Sequence, residues 1–225
     1  MTRLLMLVEG QSEEIFVKHT LAPILEERGV YVQPPIVLWT KRRPSGGGFR
    51  GGVSSWSQIR KNLQPLISDT DAWITTLLDF YGFPEDIPGY LDALAIGANH
   101  PREKVRALQA RFGAEIGHPR FIPFIALHEF EAWVFSSPEV VAEHFGSAGL
   151  ADKVRKAVRD AGEPELINHG VHTHPKARLQ EMNSSYKETS DGPTLMNKIG
   201  IPAIRVACPH FADWVEQLEL LGQKA

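Results

Sequence analysis

The chain has 225 residues, of which 43% are hydrophobic and 23% charged, a balance that argues against disorder and suits one continuous core. Its formal net charge of -3 does not mark a nucleic-acid binder, although a local basic patch is compatible with it. A single cysteine, Cys208, excludes an intramolecular disulfide and any multi-cysteine zinc site; no apolar run approaches the roughly 20 residues of a membrane helix, so a cytoplasmic protein without a membrane partner is expected.

Leu4 to Val8 is an apolar run of strand length that stops at Glu9-Gly10. Gln11-Ser12-Glu13-Glu14 then reads as a helix start, with Ser12 as the expected cap and Ile15, Phe16, Leu21, Ile24 and Leu25 on one buried side. Glu9 therefore stands at the carboxyl end of a strand, where open α/β sheets keep their ligands; an exposed strand-end acid is the alternative. After Pro34-Pro35, Ile36 to Trp39 is the next expected strand. Lys41-Arg42-Arg43 leads into a glycine-rich segment containing Arg50. Its backbone donors can approach phosphates closely, or it serves as a plain flexible connector, and its spacing is not that of a Walker loop. A helix is predicted over 54–67.

Ala72 to Asp79 is continuously apolar or β-branched, as expected of a central strand in a parallel sheet, and it too ends in a carboxylate. Arg102 to Phe112 has the periodicity of an amphipathic helix. Phe121 to Leu127 is a third apolar run, irregular at its start because of Pro123, and it ends in His128-Glu129-Phe130-Glu131. On a helix the two glutamates diverge by about 200°, whereas in an extended or turning exit they could share a face; at most one is expected to point inward, Glu129 by preference with Glu131 close behind.

Beyond Ser136 the pattern becomes helical. His169, His172 and His174 share a loop, and without cysteines or a dense carboxylate motif beside them they read as solvated histidines rather than zinc ligands. Lys176, Arg178 and Lys187 bracket a helix and form either a cationic rim or a solvated face. Ala203 to Cys208 is predicted as a last strand, and Pro209 opens a terminal helix with Phe211, Trp214, Val215, Leu218 and Leu221 at helical spacing. Without a clean linker, 1–225 reads as a single domain: a core to about 135, a helical elaboration over about 136–200, and a closing strand and helix over 201–225.

Three predicted strands thus end in acids, at Glu9, Asp79 and Glu129. If the strands are parallel neighbours, the acids converge at one sheet edge. Two carboxylates about 4 Å apart repel by roughly 4 kcal/mol at an effective dielectric of 20. A divalent cation removes that conflict, and oxygen-only ligands favour Mg2+ or Mn2+.

Val8 to Glu14, Leu78-Asp79 and Leu127 to Trp133 resemble successive blocks of a Toprim-related family catalogued as domain of unknown function four-two-seven-six. Tyr186-Lys187 and Cys208 to Phe211 resemble later blocks, so the similarity runs over nearly the whole chain. The resemblance implies a Toprim-like α/β core, as in topoisomerases, primases and overcoming-lysogenization-defect nucleases, and frequent pairing with an ATPase in phage-defence settings. On that pattern Glu9 corresponds to the first-motif glutamate and Asp79 to the first acid of an Asp-x-Asp motif. Tyr81 stands where the second aspartate is usual, so either Glu129 or Glu131 substitutes for it, or the site binds metal weakly or no longer cleaves.

The expected protein is a nuclease-like phosphodiester hydrolase dependent on Mg2+ or Mn2+ and acting on DNA or RNA. Glu9 would be ligand or general base, and Asp79, Glu129 and Glu131 would lie at the metal, with Glu131 and His128 also able to serve as supporting or proton-transfer groups. Lys187, Lys41, Arg42, Arg43, Arg50, Lys176 and Arg178 would contact phosphate. The alternative is a non-catalytic Toprim-like subunit that binds an ATPase or nucleic acid.

Overall fold

A computed structural model describes residues 1–38, 53–97, 99–167, 170 and 172–224. The basic segment with Lys41, Arg42, Arg43 and Arg50 lies outside the described residues, as does Trp39. The chain runs from β1 (Thr2–Val8) into α1 (Gln11–Phe16), a π-helical turn (Val17–Leu21) and α2 (Ala22–Glu27), then β2 (Val30–Val32), β3 (Ile36–Val37), α3 (Trp56–Ile67) and β4 (Trp73–Asp79). It continues through α4 (Tyr90–Ala95), α5 (Pro101–Ile116), β5 (Phe121–Ile122), β6 (Ile125–Ala126) and a 3₁₀-helix (Phe130–Ser136). The remainder is helical: α6 (Pro138–His144), α7 (Ala148–Ala161), a 3₁₀ turn (Pro164–Leu166), α8 (Pro175–Met182), α9 (Glu188–Ile199), α10 (Ile201–Ala207), α11 (Pro209–Glu219) and a closing 3₁₀ stretch (Leu220–Lys224). Among the described residues no helix is long and apolar enough to cross a membrane.

The expected α/β architecture is present: a six-stranded sheet in which every described pairing is parallel, with helices on both faces. β1 and β4 lie side by side at its centre, Leu4 opposite Trp73 and Val8 opposite Leu77. β2 and β3 both pair with the far side of β1, and β5 and β6 both pair with the far side of β4. Each edge is therefore one strand broken in two.

Strand alternation divides the core. Leu4, Met6 and Val8 join Phe16, Trp133, Phe211 and Trp214 on one face, while Leu7, Ile74 and Leu78 meet Ile59, Leu63, Leu108 and Phe112 on the other. Where Pro123 interrupts the edge, side chains of β4 take over the hydrogen bonding. Thr76 Oγ1 donates to the Phe124 carbonyl (2.8 Å) and accepts the Phe124 N–H (2.9 Å). Thr75 Oγ1 donates to the Ile122 carbonyl (2.6 Å) and accepts from Trp214 Nε1 (3.0 Å).

Two local expectations are corrected. The closing strand expected over 203–208 is helix α10, opened by Pro202 in its first turn. Ile201 and Ile204 are buried three residues apart while Val206 is exposed, a helical rather than an alternating period. At the start of α1 the cap position belongs to Gly10, not Ser12; Ser12 is buried in the first turn and its hydroxyl donates to the Glu188 carbonyl (3.3 Å).

Candidate metal centre

The chain leaves β1 toward β2 on one side and leaves β4 toward β5 on the other, so the carboxyl ends of β1 and β4 flank the point where the winding reverses. In open parallel sheets this is where the crevice for a ligand opens. Glu9 follows β1 directly, and its N–H continues the ladder to the Leu77 carbonyl (3.0 Å). Its side chain turns to the neighbouring strand, Oε2 accepting the Asp79 N–H (3.0 Å). Asp79 ends β4, and its Oδ1 accepts the N–H of Phe130 (3.0 Å), fixing the start of the 3₁₀-helix that carries Glu131.

The expectation that only one of Glu129 and Glu131 points inward is corrected. Glu129 is still extended, with φ -137° and ψ 150°, and the helix after it is 3₁₀ rather than α, so the angular argument from an α-helix does not apply. Both side chains are buried, at 3% and 1% exposure. Together with half-buried Asp79 they present carboxylate oxygens all within 4.8 Å of one another.

The elaboration closes the site. His174 Nδ1 lies 2.8 Å from Glu129 Oε2, and the Lys176 N–H, in the first turn of α8, donates to the same oxygen (3.0 Å). Lys176 Nζ stands 3.9 Å from Glu129 Oε1 and 3.3 Å from Glu188 Oε2. On the α1 side Glu13 is buried with Oε2 accepting the Gly10 N–H (2.9 Å).

Crowding of acids sets the electrostatics. Burial pushes the Glu9 carboxyl up to about 7 against the opposing pull of the Asp79 N–H and Lys176, and burial together with the Glu9 charge pushes Glu13 up to about 8. Asp79 and Glu131 are held well above the carboxylate range, first by burial and then by facing carboxylates, chiefly Glu9 for Asp79 and Glu129 for Glu131. Burial works against the Lys176 charge, but Glu131, Glu188 and Glu129 outweigh it and raise its proton affinity. A cluster of oxygen donors with too little positive charge to balance it fits a hard divalent cation, Mg2+ or Mn2+.

The other expected site residues fall differently. His128 is buried beside Glu129, and its carbonyl accepts the Tyr81 N–H (2.8 Å). Arg178 turns Nε to the Thr173 carbonyl (2.7 Å). Lys187 is exposed at the start of α9, with its N–H on Asp191 Oδ2 (2.7 Å). Glu13, Glu188 and His174 are site neighbours that the sequence reading missed. Glu13 carried a signal, since it lies three residues beyond the glycine that caps α1, where a capping carboxylate belongs. His174 carried none, being 45 residues from the glutamate it meets.

A family model described as domain of unknown function (DUF4276) matches residues 8–219. Among solved structures, the C-terminal region of the Xanthomonas campestris pv. campestris OLD protein, phased with platinum, is similar at 16% identity, covering 96% of this chain and 95% of that chain with a TM-score of 0.34. A determination of the same region phased with mercury gives 14% identity, 96% and 98% coverage and a TM-score of 0.34. No curated protein matches the chain.

Proposed function

Because the chain belongs to the DUF4276 family and gathers acids from separate strands at one sheet edge, we propose that it is a Toprim-like, divalent-metal-dependent nuclease-like phosphodiester hydrolase. The observation that carries this reading is the convergence of Asp79, Glu129 and Glu131 within 4.8 Å at the reversal point of a parallel sheet, with Glu9 bonded to the Asp79 backbone. Asp79, Glu129 and Glu131 would hold Mg2+ or Mn2+. When bound, the ion supplies Lewis acidity toward a phosphate oxygen and lowers the pKa of a bound water.

The chain's own groups do the rest. Glu9, partly accessible at the rim and held by the Asp79 N–H, is the general base toward an attacking water. Lys176, still 30% exposed, offers a cation to the phosphate, with Lys41, Arg42, Arg43 and Arg50 as further phosphate contacts on sequence grounds alone. His128 is a proton-transfer candidate by its place beside Glu129. DNA or RNA as substrate, an ATPase partner and a role in phage defence come into this reading from the Toprim resemblance of the sequence.

A second reading, a non-catalytic subunit binding an ATPase or nucleic acid, draws support from Tyr81 at a position where an acid is usual. Nicking of supercoiled plasmid, and cleavage of single-stranded DNA and RNA, with Mg2+ or Mn2+ and with or without a cognate ATPase separates the two. Hydrolysis that requires the metal and is lost in Asp79→Asn is expected. Tight ATPase or nucleic-acid binding with neither cleavage nor Mn2+ uptake would replace this reading with the second.

A further inference from the structure

We infer that Tyr81 and His174 are positioning residues that hold Glu129 in the cation site. This rests on the metal-site reading above and goes beyond it by saying how a buried carboxylate is kept in place. Tyr81 lies two residues beyond Asp79, at the same sheet edge, and its N–H is tied to the His128 carbonyl (2.8 Å), one residue before Glu129. Its ring lies against that of His174 with centroids 4.7 Å apart and planes 24° from parallel. The His174 ring in turn puts Nδ1 2.8 Å from Glu129 Oε2.

The chemistry of the contact gives each member a direction. A carboxylate only accepts, so His174 must carry its proton on Nδ1 to donate to Oε2, and the Lys176 N–H donates to the same oxygen. Oε2 therefore has two fixed donors, and Oε1, with Lys176 Nζ at 3.9 Å, is the oxygen turned toward positive charge and toward a bound cation. A histidine on a loop has no fixed ring plane of its own. Stacking on Tyr81 supplies one, and the His174 carbonyl accepts the Arg178 N–H (3.0 Å) at the start of α8, so ring and helix are set together. This is the arrangement by which a ligating group is oriented through a partner that never touches the ion.

The residue that departs from an acid at position 81 thus acts on the site through an aromatic face. The inference requires the ring and not the hydroxyl, which separates it from a role for Tyr81 as ligand or proton donor.

Calorimetric titration with MnCl2 at neutral pH, on the full chain, tests this. Tyr81→Phe should bind Mn2+ within about twofold of the wild type, because the stack survives. Tyr81→Leu and His174→Ala should each bind about tenfold or more weakly, the scale seen when a group supporting a metal ligand is removed. His174→Gln, which keeps an N–H donor, should recover part of the loss. Tyr81→Asp should also weaken binding, because it removes the stack.

Thermal melts of the metal-free variants serve as the control for folding, and the Phe and Gln variants keep the comparison readable should Leu or Ala fail to fold. Unchanged Mn2+ affinity in Tyr81→Leu and His174→Ala, equal weakening in Tyr81→Phe, or tighter binding in Tyr81→Asp would overturn the inference while leaving the metal site standing. A wild type that takes up no Mn2+ would overturn the metal reading itself, and this inference with it.

Discussion

A carboxyl whose proton is held more tightly in the folded chain than in the unfolded one favours folding at low pH, and that advantage is lost as pH rises to its folded pKa. Glu9 and Glu13, raised from 4.5 to about 7 and about 8, are of this kind, and a rise from 4.5 to about 7 is on the order of 3 kcal/mol. Metal-free protein should therefore lose thermal stability steadily between about pH 5 and pH 8, and saturating Mn2+ should remove most of that loss; melts across this range in chelator and in Mn2+ check it. Glu165 contributes in the same direction without responding to metal. It is raised to about 7 by burial, although the N–H groups of His210 and Phe211 hold its oxygens at 2.8 and 3.0 Å. His210 opposes the trend: burial lowers it to about 4, so its stability term is complete at high pH and is lost as pH falls from 6.5 toward 4. Single-residue replacement gives the same physics a sharper form. Glu131→Gln should raise the stability of the metal-free protein at pH 8 by about 1–2 kcal/mol while abolishing Mn2+ binding, the trade expected where a binding site is built at the expense of stability. A lower melting temperature in Glu131→Gln would mean that the acids are not in conflict.

Elements position these residues, and they differ in how visible they are from sequence. β1 and β4 are legible because central parallel strands are apolar on both faces, and the acid that ends each run is legible with them. The edge over 121–127 is half legible: Pro123 announces a break, but nothing in the pattern says that Thr75 and Thr76 will take over its hydrogen bonds. α10 is misread because Ile204 and Val206 alternate like a strand, and only tertiary burial of Ile201 and Ile204 reveals the helical period. Among the site residues, Glu9, Asp79 and Glu129 follow from strand ends, whereas the inward turn of Glu131 depends on a 3₁₀ rather than an α geometry, and His174 depends on a contact far along the chain. The importance of the threonine substitution for the ladder is measurable. Thr76→Val keeps the shape but removes both bonds to Phe124, and urea unfolding should show a loss of about 2–3 kcal/mol, as expected for buried backbone groups left unpaired. A loss below about half a kcal/mol would mean that Phe124 finds other partners.

For the molecule as a whole, the helical elaboration shares a hydrophobic cluster with the sheet. Residues from α6 to α11 share one core cluster with Leu4, Met6, Val8 and Leu77, and α8 with its preceding loop delivers His174 and Lys176 to acids carried by the sheet. The broken edges then set how the protein meets its neighbours. Along one margin the paired segments are separated by Gln33, Pro34 and Pro35, and along the other by Pro123 and Phe124. A visiting strand needs an uninterrupted row of amide donors and carbonyl acceptors, and prolines remove donors from both rows. Among the described residues neither margin therefore offers the continuous row that β-augmentation by a second chain uses, and in concentrated or heat-stressed solution the breaks oppose growth of the sheet into cross-β fibrils. Replacing Pro34 and Pro35 by threonine should weaken that guard, visible as faster thioflavin-positive aggregation at a temperature where the wild type remains dispersed.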